Sequence, residues 1–570
     1  MDELVVVSPV STQHYHPSAT MASADSIKAP SSTTLFINGR VLSKAGVGLE
    51  GQPTFTDSLV VSDGSIIALG SREDLVAKYQ TDGVDVQDLG GKAVLPSFID
   101  GHMHLLLLGQ SLKKLSLDHC KTLDDILAAL QAFAVAHPDV PRVLAKGWMN
   151  FMTPDGVDAA MLDAIDSRPI FIDSKDLHGA WCNSAALAEL GVADMADPPG
   201  GKIQRDADGT PSGVLTEGAV FTLIWPHLAN VASRRERMDA IIAATNAYNA
   251  AGYTGVVEMA MDEAAWEAVL ALFEEQPDLP LRIVAYWLIK PAGTHADRLR
   301  QLNRAIELNK KYNQETSPDL RIAGIKIMCD GIIDACTAYL SEPYTTVDSP
   351  APIWSRDDLK PIVQGASDAG LQIALHAIGD GAVRMAVDVL EAHTKPGSRH
   401  RIEHLEVVAP EEARRLGELG ITASIQPVHA DPAILRAWPR LLGADRCGRA
   451  FAYRDFADAG ALMAIGSDSP TAPYDPLHNI YIATTRRSTR EPEYTEVVNE
   501  HFRLGVCEAI TAATAGAAKS VFIEGRTGSL EVGKSADLTV VDMGWDPTTL
   551  LKARVKETWF KGKRVYSSEQ

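Results

Sequence analysis

Tyr253-Thr-Gly-Val-Val-Glu-Met259, a helical stretch over residues 263–275, then Leu281-Arg-Ile-Val-Ala-Tyr-Trp-Leu-Ile289: this succession decides the fold. The two apolar runs are short and continuous, so they read as buried strands joined by a helix. Upstream, residues 234–251 place Met238, Ile241, Ile242, Ala244 and Tyr248 at helical spacing, and Gly252 ends the pattern. Downstream, a helix over 294–312 precedes Leu320-Arg-Ile-Ala-Gly-Ile-Lys-Ile-Met328. Leu371-Gln-Ile-Ala-Leu-His376, Arg401-Ile-Glu-His404, Ile421-Thr-Ala-Ser-Ile-Gln426 and Ala461-Leu-Met-Ala-Ile-Gly-Ser-Asp468 continue the series. With Ala93-Val-Leu-Pro-Ser-Phe-Ile-Asp-Gly-His-Met-His104 as the first, eight buried strands alternate with helices. That pattern describes an α/β chain folded as a (β/α)8 barrel of the TIM type.

Barrels of this kind carry their chemistry at the C-terminal ends of the strands. His102 and His104, spaced i, i+2, share one side of the first strand and can meet one metal ion together. Neutral imidazole is the commonest metal-binding side chain for zinc and similar ions. Lys326, His376, His404 and Asp468 then fall at the ends of strands four, five, six and eight. Taken alone, Lys326 reads as a buried lysine paired with Asp330, and Asp468 in Gly466-Ser-Asp-Ser-Pro470 as a turn or cap aspartate. Facing four histidines the balance shifts. A bare ammonium beside divalent ions is repelled and costly to bury, whereas reaction with CO2 turns Lys326 into a carbamate, an anionic ligand with two oxygens. His14 and His16 form a second His-x-His in a polar tail with no strand behind it, and no ligand role is expected of them.

Composition frames these residues. The 570 residues are 46% hydrophobic and 22% charged, an ordinary globular profile. A net charge of -21 argues against a nucleic-acid partner. The six cysteines show no Cys-x-x-Cys spacing, which fits reduced thiols and a cytoplasmic location. No apolar run reaches the ~20 residues of a membrane span. A small-molecule substrate, no membrane and a homo-oligomer as one option complete the expected partners.

Residues 1–32 read as a disordered extension rich in Ser, Thr, Pro and His. Residues 33–95 and 527–570 carry alternating strands around Asn-Gly and Asp-Gly turns, and together would close one β-sandwich. The barrel spans 96–526, with an insertion at about 105–230 that replaces a connection normally of about 2–6 residues. Such an insertion at the catalytic face would shape substrate choice.

The motifs resemble a family. Gly147-Trp148, His178-Gly-Ala-Trp-Cys-Asn183, Gly213-Val-Leu-Thr-Glu217, Lys326-Ile-Met-Cys-Asp-Gly331, His376-Ala-Ile-Gly-Asp380, Arg401-Ile-Glu-His404 and Gly466-Ser-Asp-Ser-Pro470 look like the amidohydrolase superfamily. More narrowly they are similar to its YtcJ-like, amidohydrolase-3 branch, which includes N-substituted formamide deformylases. The resemblance implies two divalent metal ions, zinc foremost. His102, His104 and Asp468 would hold one, His376 and His404 the other, with carboxylated Lys326 bridging. Gly381 stands where relatives often carry an arginine, and Ile332-Ile-Asp-Ala-Cys336 replaces a Gly/Ser/Arg-rich loop.

The expected activity is hydrolysis of a non-peptide carbon–nitrogen bond, in a small amide or N-substituted formamide, by metal-bound hydroxide. Asp468 would be the catalytic acid–base group, with His178 catalytic or substrate-binding and Trp181 substrate-binding. Packing of the insertion onto the barrel is the structural alternative for that pair. A metal-dependent lyase or isomerase on the same scaffold, and a catalytically silent binding homologue, are the other functional readings.

Overall fold

Eight parallel strands follow one another in sequence order around the core: β1 (Phe98–Met103), β2 (Tyr253–Met261), β3 (Arg282–Leu288), β4 (Leu320–Met328), β5 (Gln372–Ala377), β6 (Arg401–His404), β7 (Thr422–Ile425) and β8 (Met463–Ile465). The computed structural model describes residues 33–569 except 150–151, 176–178, 199–200 and 292. Beyond β8 the chain runs along β1 and brings the sheet round on itself. Asp468 N donates to His102 O at 2.7 Å and His104 N to Ser469 O at 2.9 Å. The approach is close enough to need glycine, because a Cβ on Gly466 would lie 2.4 Å from His102 N.

Two helices hold β1 in place. α1 (Leu105–Lys113) follows it directly and turns Leu105, Leu106, Leu108 and Gly109 onto α2 (Arg234–Ala250), which buries Met238, Ile241, Ala244 and Tyr248 in the same core. Burying each large apolar side chain stabilises the contact by about 1.5–3 kcal/mol. α2 starts at a reciprocal cap between Ser233 and Glu236. The expected helix near 294–312 is His295–Lys311, capped in the same way by Thr294 and Asp297.

The flanking strands form two further sheets, a four-stranded one within residues 33–88 and a six-stranded one shared by both ends of the chain. The six-stranded one pairs Ala93–Pro96 with Leu538–Asp542, antiparallel, so the chain ends meet there. Phe36 from the four-stranded sheet packs edge-on against Trp559 from the other, with ring centroids 5.0 Å apart. One expected turn differs. Asp63-Gly64 does join an antiparallel hairpin, Ser58–Ser62 with Ser65–Gly70. Asn38-Gly39 instead carries the chain from one sheet to the other, Thr33–Ile37 pairing in the first and Arg40–Lys44 in the second. Asn38, at φ 58, donates to Asp88 of the neighbouring strand in the first sheet, so the positive-φ residue bends the chain without folding it back.

The insertion is a layered unit with its own six-stranded sheet. Apolar clusters pack around this sheet, one containing Ile126, Leu130, Trp148 and Trp181, the other Phe171, Cys182, Leu187 and Leu215. Its turn-rich stretch is a hairpin, Gly201–Arg205 with Pro211–Glu217. The six cysteines are free thiols. Among the described residues, no helix is long and apolar enough to cross a membrane.

Candidate metal centre

His102 sits one residue from the end of β1, fully buried, and its Nδ1 lies 2.7 Å from Glu403 Oε2. That bond fixes the ring and turns Nε2 towards Asp468, whose Oδ1 is 3.4 Å away. His104 Nε2 approaches the same oxygen at 3.0 Å. Neither contact has the geometry of a hydrogen bond, and Oδ1 is buried without a hydrogen-bond partner. The imidazole of His404 lies 4.9 Å from that of His102 and 4.3 Å from that of His376, centroid to centroid. One ligand atom each from His102, His404 and Asp468 fall within 4.8 Å of one another. Lys326, on β4 opposite Ala374 of β5, is 1% exposed and close enough to depress the proton affinity of His102, His376 and His404.

Backbone conformation aims these groups. Alternation along β6 would send Glu403 and His404 to opposite sides, but His404 has φ 78 and Leu405 φ 53, which swings the imidazole round to the mouth. Asp468 is likewise left-handed, at φ 56. Non-glycine residues rarely adopt this conformation, and such strain persists where surrounding structure enforces it. Here the enforcement is visible: Asp100 accepts from His102 N, Ser467 N, Ser467 Oγ and Tyr248 Oη, lacing β1 to the segment that carries Asp468.

The electrostatics favour neutral imidazoles around a positive charge. Burial, then Lys326, lowers His102 to about 4 and His376 to about 3. Burial and His376 hold His404 well below the usual histidine value. For His104 burial opposes the charge, but Asp468 and Glu258 outweigh it and lift the group to about 9. An imidazolium between two carboxylates marks the place where a cation belongs. Burial likewise opposes charge on Asp468, yet His102 and His104 hold it well below the carboxylate range. Nδ1 of His376 and of His404 are buried without hydrogen-bond partners, as donor atoms awaiting an ion would be. Burial also pushes Lys326 below the ordinary lysine value, towards the free amine that reacts with CO2.

The structure thus brings together all six residues expected from the strand ends. Asp330 is not the partner of Lys326 that its spacing allowed: it accepts the backbone N–H groups of Tyr339, Ile378 and Gly379. His178 lies outside the described residues. Trp181 differs from its expected substrate-binding role. It is fully buried in the insertion, donates from Nε1 to Asp158 O at 2.8 Å and packs on Trp148, so it packs inside the insertion's own core and not onto the barrel. At Gly381 a Cβ would lie 3.0 Å from Tyr339, so any larger side chain there requires the Tyr339–Leu340 segment to shift by a few tenths of an ångström.

Supporting residues went unread in the sequence. Glu403 orients His102 and is itself held by Arg401, which also donates to Gly101 O, Ser424 and Ser520. Glu258 approaches His104 Nδ1 at 3.7 Å and accepts the first free N–H of α1, from Leu105. Glu406 and His429 flank the centre on the β7 side. Carboxylates adjoining strand-end histidines were the available signal for Glu403 and Glu406, and an end-of-strand position for Glu258 and His429.

A nearly closed eight-stranded barrel whose strand ends converge four histidines, a lysine and an aspartate defines a metal-dependent hydrolase. The chain belongs to the amidohydrolase family, whose sequence profile matches residues 85–566. It is 30% identical to the putative amidohydrolase YtcJ of Bacillus subtilis over 90% of this chain and 96% of that one. It is 25% identical to the N-substituted formamide deformylase of Arthrobacter pascens, over 88% and 92% respectively. Among solved structures, an uncharacterized metal-dependent hydrolase from Pyrococcus furiosus superposes with a TM-score of 0.73 at 26% identity, covering 89% of this chain and 98% of that one.

Proposed function

We propose that this protein hydrolyses the carbon–nitrogen bond of a small amide or N-substituted formamide. The observation that carries the reading is the sharing of Asp468 Oδ1 by His102 and His104, with the other strand-end ligands gathered around it. His102, His104 and Asp468 would hold one divalent ion, His376 and His404 a second, and carboxylated Lys326 would join them. The donor set of imidazoles and carboxylates suits zinc. Bound there, the ions supply Lewis-acid polarisation of a carbonyl and a water of lowered pKa.

The chain's own residues do the rest. Glu403 fixes the orientation of His102, and Glu258 lies on the Nδ1 side of His104 at 3.7 Å. Asp468, at the mouth and strongly acidic, takes the proton of the attacking water on its carboxylate and returns it to the departing nitrogen. Under this reading His178, from the insertion, would be a further substrate contact.

Product analysis on a panel of N-formyl and N-acyl amines tests this reading. Amine and carboxylate release, with about two ions per chain and added carboxylate mass on Lys326, is the expected result. Decarboxylated or rearranged product would replace it with a lyase or isomerase. Asp468→Asn should fold and lose about 10³-fold in kcat, and retained activity with metal bound would remove Asp468 from the acid–base role. His178→Ala should raise KM or lower kcat at constant metal content.

A further inference from the structure

Asp468 divides its two oxygens between different neighbours. Oδ1 faces His102 and His104. Oδ2 faces His429 Nε2 at 3.7 Å, a residue of the single turn Pro427–Ala430 that follows β7. That distance is too long for a hydrogen bond and leaves a position that a third polar atom can share. His429 is also braced: its Nδ1 lies 3.1 Å from Glu406 Oε1, and its ring lies parallel to that of His404, 6° between planes and 5.8 Å between centroids. The Glu406–His429 pair repeats the Glu403–His102 device on the other side of His404. In each case a carboxylate anchors Nδ1 and Nε2 points at one oxygen of Asp468. The two differ in access, since the side chain of His102 is 1% exposed and that of His429 18%. His102 would serve a buried ion, whereas His429, exposed like His104, opens on the mouth.

We infer that His429 contacts the substrate, and that the leaving nitrogen sits between His429 Nε2 and Asp468 Oδ2. The inference rests on the hydrolase reading above. Under it, the departing nitrogen must reach an oxygen of Asp468, and Oδ2 is the one turned away from the His102–His104 pair. His429 then fixes the nitrogen beside the group that protonates it, and Glu406 acts as a positioning residue behind His429.

The test uses the metal-loaded enzyme and two acyl donors that share a formyl group, an N-formyl alkylamine and the formate ester of an acidic phenol. The amide has a poor leaving group and the ester a good one. His429→Ala and His429→Asn should lower kcat on the amide about 10- to 100-fold, the worth of one hydrogen bond to a charged or developing charge. On the ester they should lower it less than about threefold, with metal content and melting temperature held. Glu406→Gln should show the same amide-selective loss in milder form, which a purely structural role would not produce. Equal losses on amide and ester would overturn the contact. So would loss of an ion from the His429 variants, which would make His429 a ligand, a role its place within 4.8 Å of His404 and Glu406 ligand atoms also permits. A wild-type enzyme that cleaves neither donor would overturn the hydrolase reading and this contact with it, and the two failures are thereby distinguished.

Discussion

His400 shows how a single buried group sets a pH limit on the fold. Its Nδ1 accepts from Ile373 N at 3.1 Å, while Nε2 is buried without a partner, and burial lowers the group to about 4. The native state therefore keeps this imidazole neutral. An unfolded chain binds the proton near the ordinary pKa of about 6.5. Its contribution to stability is complete above that value and is lost as pH falls towards 4, a change of about 3 kcal/mol. Urea unfolding at several pH values should show His400→Gln less sensitive than wild type across that window, and identical slopes would discount the residue. Glu403→Gln belongs to the same scale. It keeps the shape but weakens the hold on His102 Nδ1, and should weaken metal affinity about 10- to 100-fold in a chelator competition.

At the level of elements, α1 steadies β1 and its histidines only if it lies hard against α2. Gly109 is the contact point, because a Cβ there would come 2.0 Å from Ala240 O. Backbone atoms cannot retreat as a side chain would, so Gly109→Ala should cost about 1–3 kcal/mol through overpacking. Since α1 begins at Leu105, next to His104, the displaced helix should also loosen metal binding. Calorimetry and metal analysis on one preparation would check both effects. Normal stability would show that the helices part without strain.

Across the whole molecule, the barrel is tied to the C-terminal strands at the face opposite the metal centre. Arg282, at the start of β3, donates to Asp537, Asp319 and Ser535 and lies over Phe560. Asp537 also accepts from Thr527 Oγ1 and Lys561 N. Removing Asp537 leaves Arg282 with Asp319 as its remaining carboxylate partner but strips buried donors of their acceptor, so Asp537→Ala should destabilise by about 1–3 kcal/mol in denaturant titration. Activity per folded molecule should hold, since this end of a barrel serves stability. A large fall in kcat of the folded fraction would contradict that division of labour.

Local periodicity alone determined the eight strands, their order and the six metal-capable residues, because burial of a parallel strand writes a continuous apolar run and the ligand follows at its end. Tertiary structure decided what periodicity does not encode. Strand alternation says nothing of the positive φ that turns His404 to the mouth. Nor does spacing show that Glu403 reaches across the barrel to His102, a separation of 301 residues. Trp181 looked like a substrate contact because an aromatic beside a histidine is compatible with either role, and only the packing of the insertion buried it. His429 lay just past a strand end, as the ligands do, but its meaning came from Asp468 and Glu406 arriving on either side. Partners brought together by chain closure carry no local signature, so the candidate ligand positions were legible in the sequence and their orientation was not.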